Sequence, residues 1–317
     1  MHIHILGICG TFMAGIAALA KSQGHQVTGC DQNVYPPMST QLEALGINIT
    51  EGFSAEQIAL NPDIYVIGNV ISRGNPLMEC ILNQGLRYIS GPQWLYENIL
   101  YDKWVLAVAG THGKTTTTAM LTWILEYCGL GPGFLIGGIP NNFNVSARLP
   151  LDNKTNAPSF FVIEADEYDT AFFDKRSKFI HYHPKTLILN NLEFDHADIF
   201  KNLEHIETHF HHLVRTVPSQ GRIIVNQESP ALKTVIDRGC WSEIEYLGSS
   251  AEWDVREEEI YHHQQKQSPL KWELIGRHNY MNALAAIAAA RHVGITTENS
   301  IEALSQFKSV KKRMEKI

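Results

Sequence analysis

The 317-residue sequence is poor in cysteine, and none of its five cysteines (Cys9, Cys30, Cys80, Cys128, Cys240) stands in a C-x-x-C pair. An odd, scattered set excludes a disulfide framework and a cysteine zinc site, and fits buried, reduced thiols in a cytosol. A long hydrophobic run is also missing. The apolar start from Ile5 to Ala20 is interrupted by Gly7, Gly10 and Gly15 and has no basic segment before it, unlike a secretory leader. No other stretch approaches the ~18 apolar residues of a membrane span. Basic excess is lacking as well: 26 Lys and Arg against 33 Asp and Glu leave a net charge of −7 and a pI near 6.1. That removes the electrostatic footprint of a general nucleic-acid or membrane-surface binder. The expected setting is cytoplasmic, with neither nucleic acid nor membrane as partner, and any anionic ligand must be held by a local site.

What is present is globular: 44% hydrophobic and 19% charged residues. The length exceeds the ~150 residues usual for one domain, so two are expected. Short apolar runs at His2–Leu6, Gln26–Gly29, Ile64–Gly68 and Tyr88–Ile89 read as strands, and Met13–Ser22, Ser39–Leu45 and Pro76–Gln84 between them have helical spacing. A second α/β unit opens with the buried-type strand Trp104–Ala109 and continues through strands at Phe160–Ile163, Thr186–Leu189 and Arg222–Val225. The expected fold class is α/β, an N-terminal Rossmann-like parallel-sheet domain followed by a second, larger α/β domain. The seam lies in Tyr96–Lys103. Pro140–Pro158 reads as a loop-rich insertion. His262–Gln267 reads as a solvated hairpin, and His209, His211 and His212 as a helix surface, rather than as metal sites.

Gly110-Thr-His-Gly-Lys-Thr-Thr116 follows a strand and precedes the helical stretch Thr117–Tyr127, the setting a phosphate-binding loop needs. Its glycines let backbone N–H groups close on phosphate oxygens, Lys114 supplies charge for the β- and γ-phosphates, and the Thr115 hydroxyl is placed to hold Mg²⁺. Val108 stands where the common G-x-x-x-x-G-K-[ST] pattern has glycine. The alternative is a chance G-K-T-T in a flexible turn.

A nucleotide triphosphate site also needs an acid at a strand end. Phe160-Phe-Val-Ile-Glu164 supplies Glu164 as the next metal ligand. Asp166, Glu167 and Asp169 are either further ligands or helix-end and loop charges. His196, between Asp195 and Asp198 after the Thr186 strand, suits a second divalent metal. In Gly276-Arg-His-Asn-Tyr-Met-Asn282, at the head of an alanine-rich helix, Asn279 and Asn282 are three apart and could hydrogen-bond a nucleotide; Asn279 could equally be the N-cap. Near the start, Gly7-Ile-Cys-Gly-Thr-Phe-Met-Ala-Gly15 with Asp31 resembles a dinucleotide fingerprint, with Cys9 in place of its middle glycine. A different diphosphate ligand, or glycines serving only helix–strand packing, explain it as well.

These residues resemble the Mur ligases, ATP-dependent amide-bond-forming enzymes of peptidoglycan metabolism. Gly110–Thr116 has that family's G-T-x-G-K-[ST]-[ST] form, Gly276–Asn282 its G-x-H-N-x-x-N-A element, and Glu193-Phe-Asp-His-Ala-Asp198 its acid-D-H-x-D segment. The resemblance covers essentially the whole chain. Within the family, Asn33-Val-Tyr-Pro-Pro-Met-Ser-Thr-Gln-Leu-Glu43 and Glu164–Lys178 are most similar to members that join UDP-N-acetylmuramate to the murein tripeptide L-alanyl-γ-D-glutamyl-meso-diaminopimelate in peptidoglycan recycling.

The resemblance implies a UDP-sugar-binding domain over residues 1–102 and an ATP-binding domain over 103–311. It implies that 312–317 begin a linker to a third domain, so that this chain would not ligate alone. ATP and Mg²⁺ are the implied cofactors. The implied chemistry is phosphoryl transfer to the muramoyl carboxylate, then attack of the tripeptide amine on the acyl phosphate. By residue-wise carry-over, Gly110, Thr111, His112, Gly113, Lys114, Thr115 and Thr116 cradle the phosphates. Asn279 and Asn282 contact the nucleotide, and Thr115, Glu164 and His196 hold metal. Lys114, Glu164 and His196 are the catalytic set. Gly7, Gly10, Thr11 and Asp31 form the UDP-binding turn, with Asn69, Ser72 and Arg73 lining the same pocket. Many members carry a carbamylated lysine on the second metal; after Asp198 this sequence offers Lys201 and then mainly histidines and acids. The nearest alternative is the family activity that adds free L-alanine to UDP-N-acetylmuramate. More remote alternatives are an NAD-dependent oxidoreductase and a nucleotide-binding switch.

Overall fold

Runs that are apolar without alternation form strands covered on both faces, which is how parallel sheets between helices are built. In the computed structural model, which describes residues 1–36, 38–151, 158–194 and 200–310, the chain divides into two compact units. The first is Met1–Tyr101 with Ala147–Leu149 and Tyr168–His181. The second is Asp102–Ser146, Pro150–Glu167 and the chain from Tyr182 onward.

The first unit has five parallel strands, β1 (His2–Leu6), β2 (Gln26–Asp31), β3 (Asn48–Glu51), β4 (Ile64–Ile67) and β5 (Tyr88–Ser90), in the order β3-β2-β1-β4-β5. Helices α1 (Thr11–Ser22), α2 (Met38–Ala44), α3 (Pro76–Asn83) and α4 (Gly91–Leu95) alternate with them. The strand order reverses between β1 and β4, so the loops leaving those two strands flank the crevice where such sheets bind ligands. Asn75 caps α3 by accepting the Met78 N–H at 3.0 Å, with Pro76 at the first helical position. An antiparallel hairpin, Asp169–Ala171 with Asp174–Ser177, also belongs to this unit. A simple serial division at residue 102 does not place it there.

The second unit is organised by β6 (Trp104–Ala109), with β8 (Phe160–Ala165) on one side and β9 (Thr186–Leu189) on the other, all parallel. β7 (Gly133–Leu135) lies beyond β8. Beyond β9 follow β10 (Arg222–Asn226), β11 (Glu243–Leu247), β12 (Trp253–Arg256), β13 (Glu259–His262) and β14 (Gln265–Lys266). The last three strands turn antiparallel and include the expected hairpin. Its His262 is only half-exposed, because it stacks on the buried Trp253 with ring centroids 4.1 Å apart.

Helix α5 (Lys114–Tyr127) starts three residues earlier than its periodicity suggests, because Lys114, Thr115 and Thr116 form its first turn. Its threonines are accommodated by bonding back along the helix: the Thr118 hydroxyl donates to the Lys114 carbonyl and that of Thr122 to the Thr118 carbonyl, each at 2.7 Å. Helices α6 (Leu203–Val214), α7 (Pro230–Asp237), α8 (Arg277–His292) and α9 (Thr297–Leu304) complete the unit. α8 is buried without a break from Tyr280 to Ala290, the mark of an internal helix, and its alanines let it pack closely on α5. Among the described residues no helix is long and apolar enough to cross a membrane.

Candidate active site

The carboxyl ends of β6, β8 and β9 are neighbours in the sheet, so three loops converge: Gly110–Gly113, Glu164–Glu167 and Asn190–Glu193. Gly113 precedes α5 in the left-handed conformation, φ +79°, which glycine adopts freely. Its carbonyl accepts the Thr117 N–H at 2.9 Å, and the N–H groups of Lys114, Thr115 and Thr116 open the helix without intrahelical partners. With the helix dipole behind them, they form an anion-binding end.

The Lys114 ammonium folds back over this loop. It donates to the Gly110 carbonyl at 2.7 Å and to Glu167 Oε2 at 2.9 Å, and the pair is nearly enclosed, with 12% and 4% of the two side chains exposed. Burial raises the Glu167 carboxyl above its ordinary range, against the pull of the Lys114 charge. Glu164, the last acid of β8, accepts the Thr115 hydroxyl at 3.0 Å and the Gly137 N–H at 2.7 Å. Its carboxyl is also raised by burial, which outweighs those two hydrogen bonds. Thr115 and Glu164 thus hold two hard oxygens side by side next to the anion-binding turn, the donor type Mg²⁺ selects when phosphate and water complete its shell. The residues fit a magnesium nucleotide.

The asparagines behind the loop are not separable from sequence. Asn191 pairs with the whole His112 peptide, accepting its N–H at 2.7 Å and donating to its carbonyl at 2.9 Å, while the Asn191 carbonyl accepts the Thr111 N–H at 3.1 Å. Asn190 Nδ2 donates to Asn282 Oδ1 at 2.7 Å. The two asparagines expected together at the head of α8 part company here. Asn282 is buried against the loop, whereas Asn279 lies nearer the surface and donates to the Ile275 carbonyl at 2.8 Å. The N-cap of α8 is Gly276, not Asn279. Gly137, Asn190 and Asn191 adjoin the site although motif spacing does not mark them as such, and Glu167, one of the acids offered as a further ligand, pairs instead with Lys114. Asp166 and Asp169 lie in no helix, so the helix-end reading does not apply to them. His196, Asp195 and Asp198 lie outside the described residues, as do residues 311–317.

In the first unit, the turn after β1 closes on β2. Gly7 N–H donates to the Cys30 carbonyl at 2.8 Å, and Asp31 accepts the Cys9 N–H at 2.9 Å and the Asn33 N–H at 3.3 Å. Gly10 is the N-cap of α1 and Thr11 its first residue. A Cβ on Gly7, whose φ is +79°, would lie 2.9 Å from Val70 Cγ2, so the loop after β4 comes up against this turn. In that loop Asn69, Ser72 and Arg73 are exposed, and Arg73 is oriented by a two-point pair with Glu79 at 2.8 and 3.0 Å. The structure therefore groups Gly7, Gly10, Thr11 and Asp31, with the loop of Asn69, Ser72 and Arg73 adjoining at the topological switch point.

Residues 2–102 match the Mur ligase family catalytic domain and residues 108–290 the Mur ligase middle domain. The chain belongs to the Mur ligase family. Among Mur ligases it is 56% identical to the UDP-N-acetylmuramate–L-alanyl-γ-D-glutamyl-meso-2,6-diaminoheptandioate ligase of Escherichia coli K12, over 99% of this chain and 69% of that protein. The crystal structure of the corresponding ligase from Neisseria meningitides superposes with a TM-score of 0.94 at 59% identity, covering 98% of this chain and 99% of that one. A Mur ligase of the other acceptor type, the UDP-N-acetylmuramate–L-alanine ligase of Desulforapulum autotrophicum, is 30% identical over 99% of this chain and 68% of that protein.

Proposed function

We propose that this chain is the catalytic body of an ATP-dependent ligase that joins UDP-N-acetylmuramate to the amine of L-alanyl-γ-D-glutamyl-meso-diaminopimelate. The observation that carries the reading is the 56% identity, over 99% of the chain, to the E. coli enzyme of that specificity. The L-alanine-adding relative stands at 30% over the same span.

The first unit binds the UDP-sugar. Gly7 and Gly10 let the turn approach a diphosphate, Thr11 presents the α1 N-terminus, and Asp31 braces the turn from behind by accepting the Cys9 N–H. Asn69, Ser72 and Arg73 line the same site. The second unit binds ATP. The N–H groups of Lys114, Thr115 and Thr116 take the phosphate oxygens, and the Lys114 ammonium exchanges its contact with Glu167 for the β- and γ-phosphates. There it offsets charge gathering on the transferred phosphoryl group. Thr115 and Glu164 would hold one Mg²⁺ and His196 a second, and bound Mg²⁺ would neutralise phosphate charge. The muramoyl carboxylate oxygen takes the γ-phosphoryl group of ATP as the bond to the β-phosphate oxygen breaks and ADP leaves, and the tripeptide amine then attacks the acyl carbon, losing a proton as inorganic phosphate departs.

Titrating the protein with ATP and with UDP-N-acetylmuramate tests the two-site reading. A ligase body binds both. Binding of ATP without the UDP-sugar leaves only a nucleotide switch and removes the proposal.

A further inference from the structure

We propose that Asn282 is a positioning residue for the phosphate-binding loop, acting through Asn190, and that it does not recognise the nucleotide base. The inference rests on the reading of Gly110–Thr116 as the loop that holds the phosphates.

Three observations converge. Asn282 is 5% exposed and Asn190 3%, so the 2.7 Å bond from Asn190 Nδ2 to Asn282 Oδ1 is sheltered from water. A Cβ on Gly113 would stand 2.7 Å from Asn282 Oδ1 and 2.9 Å from Asn190 Nδ2, so the two amides lie flush against the one residue whose left-handed backbone aims the first N–H groups of α5. Asn190 Nδ2 also reaches the His112 carbonyl at 3.3 Å, so one amide ties α8 to the loop.

The support behind Asn190 is itself fixed. Its N–H donates to the Ala109 carbonyl at 2.9 Å, and its own carbonyl accepts Asn226 Nδ2 at 2.9 Å. Asn282 supplies the acceptor that holds the Asn190 carboxamide in the rotamer facing Gly113. Without it a buried donor loses its better partner, and the peptide that leads into Lys114 loses its backing. A group whose carboxamide oxygen is spent in this way acts on whatever the loop holds, which is phosphate, regardless of the base attached.

The test compares two ligands that share phosphates and differ in the base. ATP and inorganic tripolyphosphate, each with Mg²⁺, are titrated calorimetrically into wild type, Asn282→Ala, Asn190→Ala and the double variant, with UDP-N-acetylmuramate as the control ligand. Asn282→Ala is expected to weaken ATP and tripolyphosphate by the same factor, about tenfold. The double variant should be no weaker than either single one within about twofold, because the two residues act as one unit, and affinity for UDP-N-acetylmuramate should stay unchanged. A loss confined to ATP makes Asn282 a base contact and overturns the proposal; additive losses overturn the coupling through Asn190. If Asn282→Ala gives no melting transition, Asn282→Ser is titrated with the same criteria. Wild type that binds neither phosphate ligand fails at the loop assignment itself, an outcome distinct from a wild type that binds both while the variants discriminate between them.

Discussion

The Lys114 ammonium and the Glu167 carboxylate meet at 2.9 Å in a setting that leaves 4% of the glutamate side chain exposed. The lysine assigned to phosphate therefore has a counter-ion within its own domain. The pair must open for Lys114 to act, and the Glu167 carboxyl, already raised by burial, can take up a proton when the lysine leaves it.

Lys114→Ala removes the charge proposed to face the phosphates and takes the ammonium away from Glu167. Turnover is expected to fall by about a hundredfold or more, the scale of losing one transition-state charge partner, and ATP affinity should weaken while affinity for UDP-N-acetylmuramate persists. Steady-state phosphate release by the whole protein checks this, and unchanged turnover contradicts the loop assignment.

Glu164 sets function against stability. Its carboxyl ionises at 4.5 when unfolded and higher when folded, because it is buried. Between those values the folded state binds the extra proton, so stability falls as pH rises through that window. Glu164→Gln keeps an acceptor for the Gly137 N–H and a partner for Thr115. It should raise the melting temperature at pH 8 more than at pH 4, and abolish Mg²⁺-dependent turnover. A variant that melts lower by the same amount at both pH values would contradict the burial argument.

On the acid side the expected control is His4. It is fully buried and held by Thr28 at 2.8 Å, and burial lowers its pKa from 6.5 to about 4. Here the unfolded chain takes the proton first, so stability is complete above pH 6.5 and is lost as pH falls toward 4, by about 3 kcal/mol at the limit. His4→Gln should flatten urea-unfolding free energies between pH 4 and 7; an unaltered slope would assign the acid sensitivity elsewhere.

Asp31→Ala releases the Cys9 N–H and the Asn33 N–H from their common acceptor. Affinity for UDP-N-acetylmuramate is expected to drop roughly tenfold, in line with the loss of charge-assisted bonds in a binding turn, with ATP affinity intact. Equal losses for both ligands would mean that the residue supports the fold and not the sugar site.

The strands His2–Leu6, Trp104–Ala109 and Thr186–Leu189 are legible residue for residue, because each is a short, mostly β-branched or apolar run bounded by turn residues, His2–Leu6 with its isoleucines alternating with histidine. Strand β3 (Asn48–Glu51) escapes, being mostly polar and exposed, and so does β11, where Glu243 and Glu245 break the apolar pattern. The site divides the same way. Gly110–Thr116 and Glu164 are readable because a glycine turn and a strand-end acid are local features. Gly137, which donates to Glu164 from 27 residues away, and Asn190, which meets Asn282 across 92, depend on strand order, which spacing along the chain does not express. The Asn282 motif is visible in sequence, but its partner is not, and the partner suggests a different task for it.

The most direct measurement follows phosphate release by the protein, with ATP, Mg²⁺ and UDP-N-acetylmuramate, offering either L-alanyl-γ-D-glutamyl-meso-diaminopimelate or free L-alanine. The account predicts release that depends on the tripeptide and is absent with L-alanine. Release driven by L-alanine and not by the tripeptide would contradict it and assign the chain to the other acceptor class.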